Sequence, residues 1–166
     1  MTLCNSISKA SPTNYSLAFP LLPAEITLSA NKPLVLNIFS SVIPSLTLSE
    51  FELDWQGLKN KVVGSPLLFD QWNVNFVVDA DFENWQILFN WMSYINDNYE
   101  KHMETHKNYS VDASLQIIDN FKEDVLSLNF VSIWPTNLGE VTLSQRDGET
   151  LIECTVNFSY DYFKII

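Results

Sequence analysis

Ile152-Glu153-Cys154-Thr155-Val156-Asn157-Phe158-Ser159-Tyr160-Asp161-Tyr162 is the stretch on which the fold turns. Ile152, Cys154, Val156, Phe158, Tyr160 and Tyr162 point one way, and Glu153, Thr155, Asn157, Ser159 and Asp161 point the other. A period of two belongs to a β-strand, whose successive side chains leave on opposite faces, so the segment predicts a strand with one buried face. Upstream, Val141, Leu143 and Gln145 are joined to it through Arg146-Asp147-Gly148-Glu149. Asp-Gly supplies the positive φ angles of a tight type I′ turn, so these two segments are expected to pair antiparallel.

Working outward, the same alternation recurs. Val111, Ala113, Leu115 and Ile117 are expected to form a hairpin with Leu126, Leu128 and Phe130 across Asp119–Asp124. Apolarity then moves to odd positions at Val131 and Ile133, which calls for a β-bulge near Phe130, and Pro135, lacking an N–H, is expected to end that strand. Phe51, Leu53 and Trp55 alternate with Glu50, Glu52 and Asp54. Trp72, Val74, Phe76 and Val78 alternate with Gln71, Asn73 and Asn75. Leu34 to Val42 and Tyr15 to Phe19 bring the expectation to about eight strands, with Pro44 marking an edge, bend or break.

One helix interrupts the strands. Asp81 suits an N-cap and Glu83 suits the positive end of the helix dipole. Phe82, Trp85, Leu88, Phe89, Met92, Ile95 and Tyr99 recur at helical spacing, and Ile87, Trp91 and Tyr94 form a flanking set. So wide a stripe exceeds what one sheet can cover. The reading is that one face packs on the domain, while Ile87, Trp91 and Tyr94 meet another molecule. The fold class expected is mainly β (α+β): a single antiparallel β-sandwich or barrel over residues 1–166 with one flanking helix, and an extended arm at 1–13.

Composition bounds the function. The 166 residues carry a net charge of -11, with 46% hydrophobic and 17% charged residues. That charged fraction is below the ordinary ~25%, which implies apolar surface meeting a partner. Eleven Phe, six Tyr and five Trp exclude a disordered chain. The acidity argues against gripping a phosphate backbone, which requires a basic patch. No secretory signal is visible in Met1–Pro12 and no apolar run is long enough to span a bilayer, so no membrane role is expected. Cys4 and Cys154 stand at opposite ends of the chain. Cys154, on an apolar strand face, reads as a buried free thiol in a reducing cytoplasm.

Catalytic constellations are missing from the pattern. His102 and His106 stand four apart, but Met103-Glu104-Thr105 between them is not the Glu-x-x of a zinc protease, and at the polar end of the helix a solvated helix end is the better reading. Asp79 and Asp81 have metal-binding spacing but close a strand and cap a helix. Glu50, Glu52 and Asp54 lie about 7 Å apart along one strand face, which normally means a solvated face. The four glycines, Gly57, Gly64, Gly139 and Gly148, make no phosphate loop. No enzyme, cofactor or metal site is expected.

Phe69-Asp70-Gln71-Trp72-Asn73-Val74-Asn75-Phe76-Val77-Val78-Asp79, with Asp81-Phe82-Glu83-Asn84-Trp85 and Asn90-Trp91-Met92 after it, resembles the core of tail tube proteins of contractile-tailed bacteriophages. Asn14-Tyr15-Ser16-Leu17, Ile43-Pro44-Ser45-Leu46-Thr47-Leu48, the strand near Phe130 ending in Pro135, and Phe158-Ser159-Tyr160-Asp161-Tyr162-Phe163 extend the resemblance over nearly the whole chain. It implies a virion tail subunit, assembled in the host cytoplasm into hexameric rings. The rings stack as a tube whose inner wall is a β-barrel, through which DNA passes during infection without specific binding. Type VI secretion tubes and tube-like baseplate proteins share that fold. Other tail or baseplate proteins, and a tail sheath, are the implied partners. The family's long loop toward a neighbouring ring would correspond to Gln56–Leu68, with Gly57, Gly64 and Pro66. Glu50, Glu52, Asp54 and Glu153 are the candidate lumen residues, because an acidic bore repels phosphates. Ile87, Trp91, Tyr94, Gly57 and Gly64 are the candidate subunit interface. The alternatives are a tube initiator or baseplate component and, from another class, a β-sandwich glycan-binding module, which would account for the tryptophans; but Trp85 and Trp91 fall on the helix and Trp72 on a strand's apolar face, which favours core and interface.

Overall fold

The computed structural model describes residues 15–19, 34, 36–98, 109–118, 123–143 and 151–166. Their order is β1 (Tyr15–Ala18), β2 (Asn37–Ser41), β3 (Leu46–Trp55), β4 (Leu58–Phe69), β5 (Trp72–Val77), α1 (Glu83–Asp97), β6 (Val111–Ile118), β7 (Asp124–Leu138), β8 (Glu153–Ser159) and β9 (Tyr162–Ile165). All pairings are antiparallel. The mainly β class with one helix is what the sequence led us to expect.

Seven strands form one sheet, β1-β6-β7-β8-β5-β2, with β9 also paired to β7. The first half of β7 lies between β6 and β9, and its second half pairs with β8. The long strand therefore passes from one half of the sheet to the other, and the change comes at the expected bulge. The register slips between Ala113↔Phe130 and Val111↔Ile133, and Ser132 takes φ 56° with its N–H donating to Asp112 Oδ1 at 2.9 Å. Trp72 from β5 stacks on Phe130 from β7 at 4.2 Å and 5°, so the two halves face each other across the core. Val74, Phe76, Leu88, Ile133, Val156 and Phe158 fill the space around them.

Several local expectations are corrected. The partner of β8 is Trp134–Leu138 of β7, not Val141–Gln145; Val141–Leu143 are not a strand, and the Asp147-Gly148 turn lies outside the described residues. Pro135 is buried inside β7 instead of ending it. Beyond Ile133 the strand has β8 on one side only, with a register shift between Pro135 and Asn137, and an edge with a bulge tolerates a missing N–H. The C-terminal alternation also breaks at Tyr160–Asp161. There the chain leaves the β5 half for the β6 half, and Asp161 N–H donates to Val131 O at 3.1 Å.

The helix begins without the expected Asp81 cap. Phe82 holds the N-cap position with φ 56° and no side-chain cap bond. The helix start is anchored instead by buried Asn84, whose amide donates to Val77 O at 2.9 Å and accepts from Asp79 N–H at 3.2 Å. The arm at 1–13 and the histidines at 102 and 106 lie outside the described residues. Cys154 is a buried free thiol, its pKa raised first by burial.

Tyr160 locks the last bend to the start of β5, its hydroxyl donating to Asp70 O at 2.7 Å. Burial, and next the Asp70 carboxylate, push its pKa up to about 12 from 10.0. A raised pKa means that the folded state prefers the neutral phenol. That contribution is whole below the unfolded value and is lost as pH rises from about 10 toward 12. Urea midpoints measured across this window are expected to fall more steeply for the natural chain than for Tyr160→Phe.

Candidate functional site

The β3–β4 hairpin stands apart as a two-stranded sheet, and its extensive contacts among the described residues are between its own strands. At its base Phe69 packs edge-on against Phe163 at 5.4 Å and Tyr160 at 6.1 Å, and the Ser45 hydroxyl bonds the Asp70 carboxylate. At its tip Gln56 and Gly57 both have positive φ, 49° and 79°, the two-residue turn whose twist matches paired strands. The expected loop at Gln56–Leu68 is thus corrected: from Leu58 onward it is strand β4.

Register sorts the hairpin's side chains. Glu50, Glu52 and Asp54 face the same way as their partners Val63, Lys61 and Lys59, while Phe51, Leu53 and Trp55 share the other face with Val62, Asn60 and Leu58. Phe51, Leu53 and Trp55, which their alternation with the acids marks for burial, are not core within the subunit. Trp55 is 69% exposed and Leu58 70%. Exposed apolar residues in a contiguous row mark a contact surface, unlike the scattered ones any protein carries. Gly64 sits at the register break beside Ser49, where a Cβ would come within 2.9 Å of the Ser49 carbonyl oxygen. Glycine lets the strands close up there.

The carboxylate row has its own counter-ions. Lys61 Nζ lies 2.6 Å from Glu50 and Lys59 Nζ 3.3 Å from Glu52, both pairs more than half exposed. Such surface pairs contribute about 0–1 kcal/mol each, but they cancel most of the field that the row would otherwise project. Glu153 is on β8, in the other sheet, opposite Val77. The four candidate lumen residues are therefore not brought together.

The candidate interface divides as well. Trp91 is 0% exposed, and Ile87 is buried beside it. The indole N–H of Trp91 donates to Tyr109 O at 2.7 Å, which fixes the helix against the start of β6. Both belong to the subunit's own core, so neither side chain is available to another molecule. Tyr94 is half-buried against that core. The aromatic of α1 that is turned outward is Phe89, 51% exposed, its ring stacked at 5.5 Å on Trp85, which is itself half-buried against the core. Periodicity had drawn both sides of the helix but could not say which was turned inward.

A further surface went unread in the sequence. β2, β5, β8 and Trp134–Leu138 contain no Lys or Arg, and Glu153 is their one acid. Asn73, Asn75, Thr155 and Asn157 leave the side opposite the buried Trp72, Val74, Phe76, Cys154, Val156 and Phe158. The result is a smooth, nearly neutral polar face, with Thr155 Oγ1 hydrogen-bonded to Asn75 Oδ1 at 2.6 Å. The even spacing of Asn was the available signal. Among the described residues no group of three or more His, Cys, Asp or Glu is assembled for a metal, and no helix is long and apolar enough to cross a membrane.

Comparison with known proteins places this geometry in context. A family model described as phage tail tube protein matches residues 10–166. The tail tube terminator protein of Enterobacteria phage T4 is 30% identical over 99 residues, 58% of this chain and 56% of that protein, so the aligned part spans about half of the relative. Among solved structures, a chain of the PVC sheath/tube terminator of an extracellular contractile injection system superposes with a TM-score of 0.67 at 12% identity, covering 97% of this chain and 99% of the other. A chain of the anti-feeding prophage baseplate superposes with a TM-score of 0.65 at 9% identity, covering 96% of each. At such identities the two structures establish a shared fold.

Proposed function

The chain belongs to the phage tail tube protein family, and from that premise we propose that it is a ring-forming structural subunit of the virion tail, seated at the end of the tail tube as its terminator. The observation that carries the ring is the β3–β4 hairpin: Trp55 and Leu58 are 69% and 70% exposed on one apolar face that the subunit itself leaves bare. A projecting ribbon of that kind is an assembly element, and the family resemblance makes six the expected number around the ring. Kinship with the T4 tail tube terminator supports the place at the tube's end. A repeating tube subunit is the second reading, favoured by the family match over residues 10–166.

Copy number separates the two. Quantitative mass spectrometry of purified virions should find one ring's worth of this chain per tail; copies in proportion to tail length would make it the repeating subunit. Sheath and baseplate proteins are the further partners that the role entails.

DNA would pass through the ring's bore. The polar face of β5 and β8 suits the bore better than the hairpin's carboxylate row, because it offers a phosphate neither a cation to bind nor a dense negative field. Glu153 supplies mild repulsion, repeated around the ring. The hairpin acids Glu50, Glu52 and Asp54 contribute less, being matched by Lys59 and Lys61. Asn73, exposed on this face, is the position at which to test it. Asn73→Lys is expected to leave assembly intact and to slow ejection measurably, most at low salt, since each added cation offers a phosphate contact. Unchanged ejection kinetics with intact tails would place this face away from the DNA.

A further inference from the structure

The chain enters the β3–β4 hairpin through Ser45 and leaves it through Asp70, the residues just outside the first pair of its ladder, Leu46↔Phe69. Buried Pro44 precedes Ser45, and its ring fixes one backbone angle of the entry. Ser45 and Asp70 are bonded to each other twice. Asp70 N–H donates to Ser45 O at 3.2 Å, and the Ser45 hydroxyl donates to the Asp70 carboxylate. The carbonyl of Asp70 accepts the Tyr160 hydroxyl at 2.7 Å. The backbone donor, the carboxylate and the backbone acceptor of one residue are thus all engaged, and they join three separate segments of chain. A second tie is apolar. The half-buried Phe69 ring packs edge-on against Tyr160 and Phe163, and both of those rings lie against Phe130, which stacks on Trp72 in the core.

Extensive contacts of β3 or β4 with any other described element are absent. A ten-residue strand extends about 33 Å, so a tilt of about 10° at the neck would carry the tip through about 6 Å. We propose that Asp70 and Tyr160 form a latch that fixes the direction in which the hairpin leaves the domain. Asp70 is the positioning residue, Ser45 closes the neck on it, and Tyr160 is the pin from the C-terminal bend. The charge on the carboxylate strengthens the Ser45 bond. The latch acts within the single subunit, before any partner is met. A ribbon already held in one direction loses less freedom when it is bound, whatever binds it.

The test is double electron–electron resonance on the full chain carrying Cys4→Ser, with spin labels at Leu58→Cys on the hairpin tip and Asn96→Cys on α1, both exposed, while Cys154 is buried. Leu53→Glu with Trp55→Glu in every preparation keeps another copy from holding the hairpin's apolar face, and dilution with unlabelled chain leaves only distances within one subunit. A single narrow distance distribution is expected. Ser45→Ala with Tyr160→Phe should at least double its width, and Ser45→Ala alone, an exposed change that empties no core site, should widen it measurably. Asp70→Ala should also widen it, whereas Asp70→Asn, whose side-chain oxygen still accepts from Ser45, should keep it narrow. Hydrogen exchange in β5 and β8 should not change in any of these variants. A distribution already wide in the natural neck, or one equally narrow after Ser45→Ala with Tyr160→Phe, overturns the latch. Widening that comes only with lost protection in β5 and β8 overturns it too, because Tyr160 would then hold the sheet and not the hairpin. None of these outcomes depends on the ring reading.

Discussion

Trp91→Ala destabilises the isolated subunit by about 3–5 kcal/mol, the usual cost of emptying a fully buried aromatic site. The residue is 0% exposed, lies 6.2 Å from the Phe158 ring, and gives its indole N–H to Tyr109 O. The substitution therefore removes packing and also leaves a carbonyl short of its donor. A domain of this size loses roughly 2–4 °C of melting temperature per kcal/mol, so the melting point should drop by roughly 6–20 °C. Phe89→Ala, two residues away but 51% exposed, is the contrast. It should change subunit stability by less than about 1 kcal/mol. Thermal melts of the two variants side by side decide which face of α1 is inside. A Trp91→Ala subunit as stable as the natural one would return that residue to the surface.

Leu53→Glu with Trp55→Glu is expected to have the opposite signature, an intact subunit that no longer assembles. Both side chains lie on the hairpin's exposed apolar face, so charges there cost the monomer little. If that face is buried between copies, each lost apolar side chain removes about 1.5–3 kcal/mol from the contact. Together that is about a hundred- to ten-thousand-fold in the concentration needed for assembly, at about 1.4 kcal/mol per tenfold. Sedimentation velocity over a concentration series, with circular dichroism as the control for folding, reads the effect. Assembly at the natural concentration would mean that the hairpin is not the contact.

Strand alternation was legible wherever burial happens inside one chain. Trp72, Val74, Phe76 and Cys154, Val156, Phe158 face inward as their parity predicts, and the bulge before Ile133 lies where the parity slips. The same signal misled at Phe51, Leu53 and Trp55. Alternation records that a face is apolar, not whether its cover is supplied by the same molecule. In α1 the stripe is broad enough to be covered from two sides, and the inward side is chosen by a distant acceptor, Tyr109 O, that no local pattern names. Asn84 was missed for a related reason. Its role comes from the turn between β5 and α1 bringing Val77 O and Asp79 N–H within its reach. Pro135 shows the converse, a strand breaker tolerated because one side of its strand is an edge. The candidate lumen row looked uniformly acidic because the lysines that answer it come from the return strand, visible only once Glu52↔Lys61 and Asp54↔Lys59 are in register.

The most direct test is a cryo-EM reconstruction of the intact virion tail that resolves the end of the tube. The expected result is one ring of this chain coaxial with the tube, the β5–β8 face toward the bore and each β3–β4 hairpin seated against a neighbouring copy. Density for this chain off the tube axis, or as isolated subunits on the tail's exterior, would contradict it.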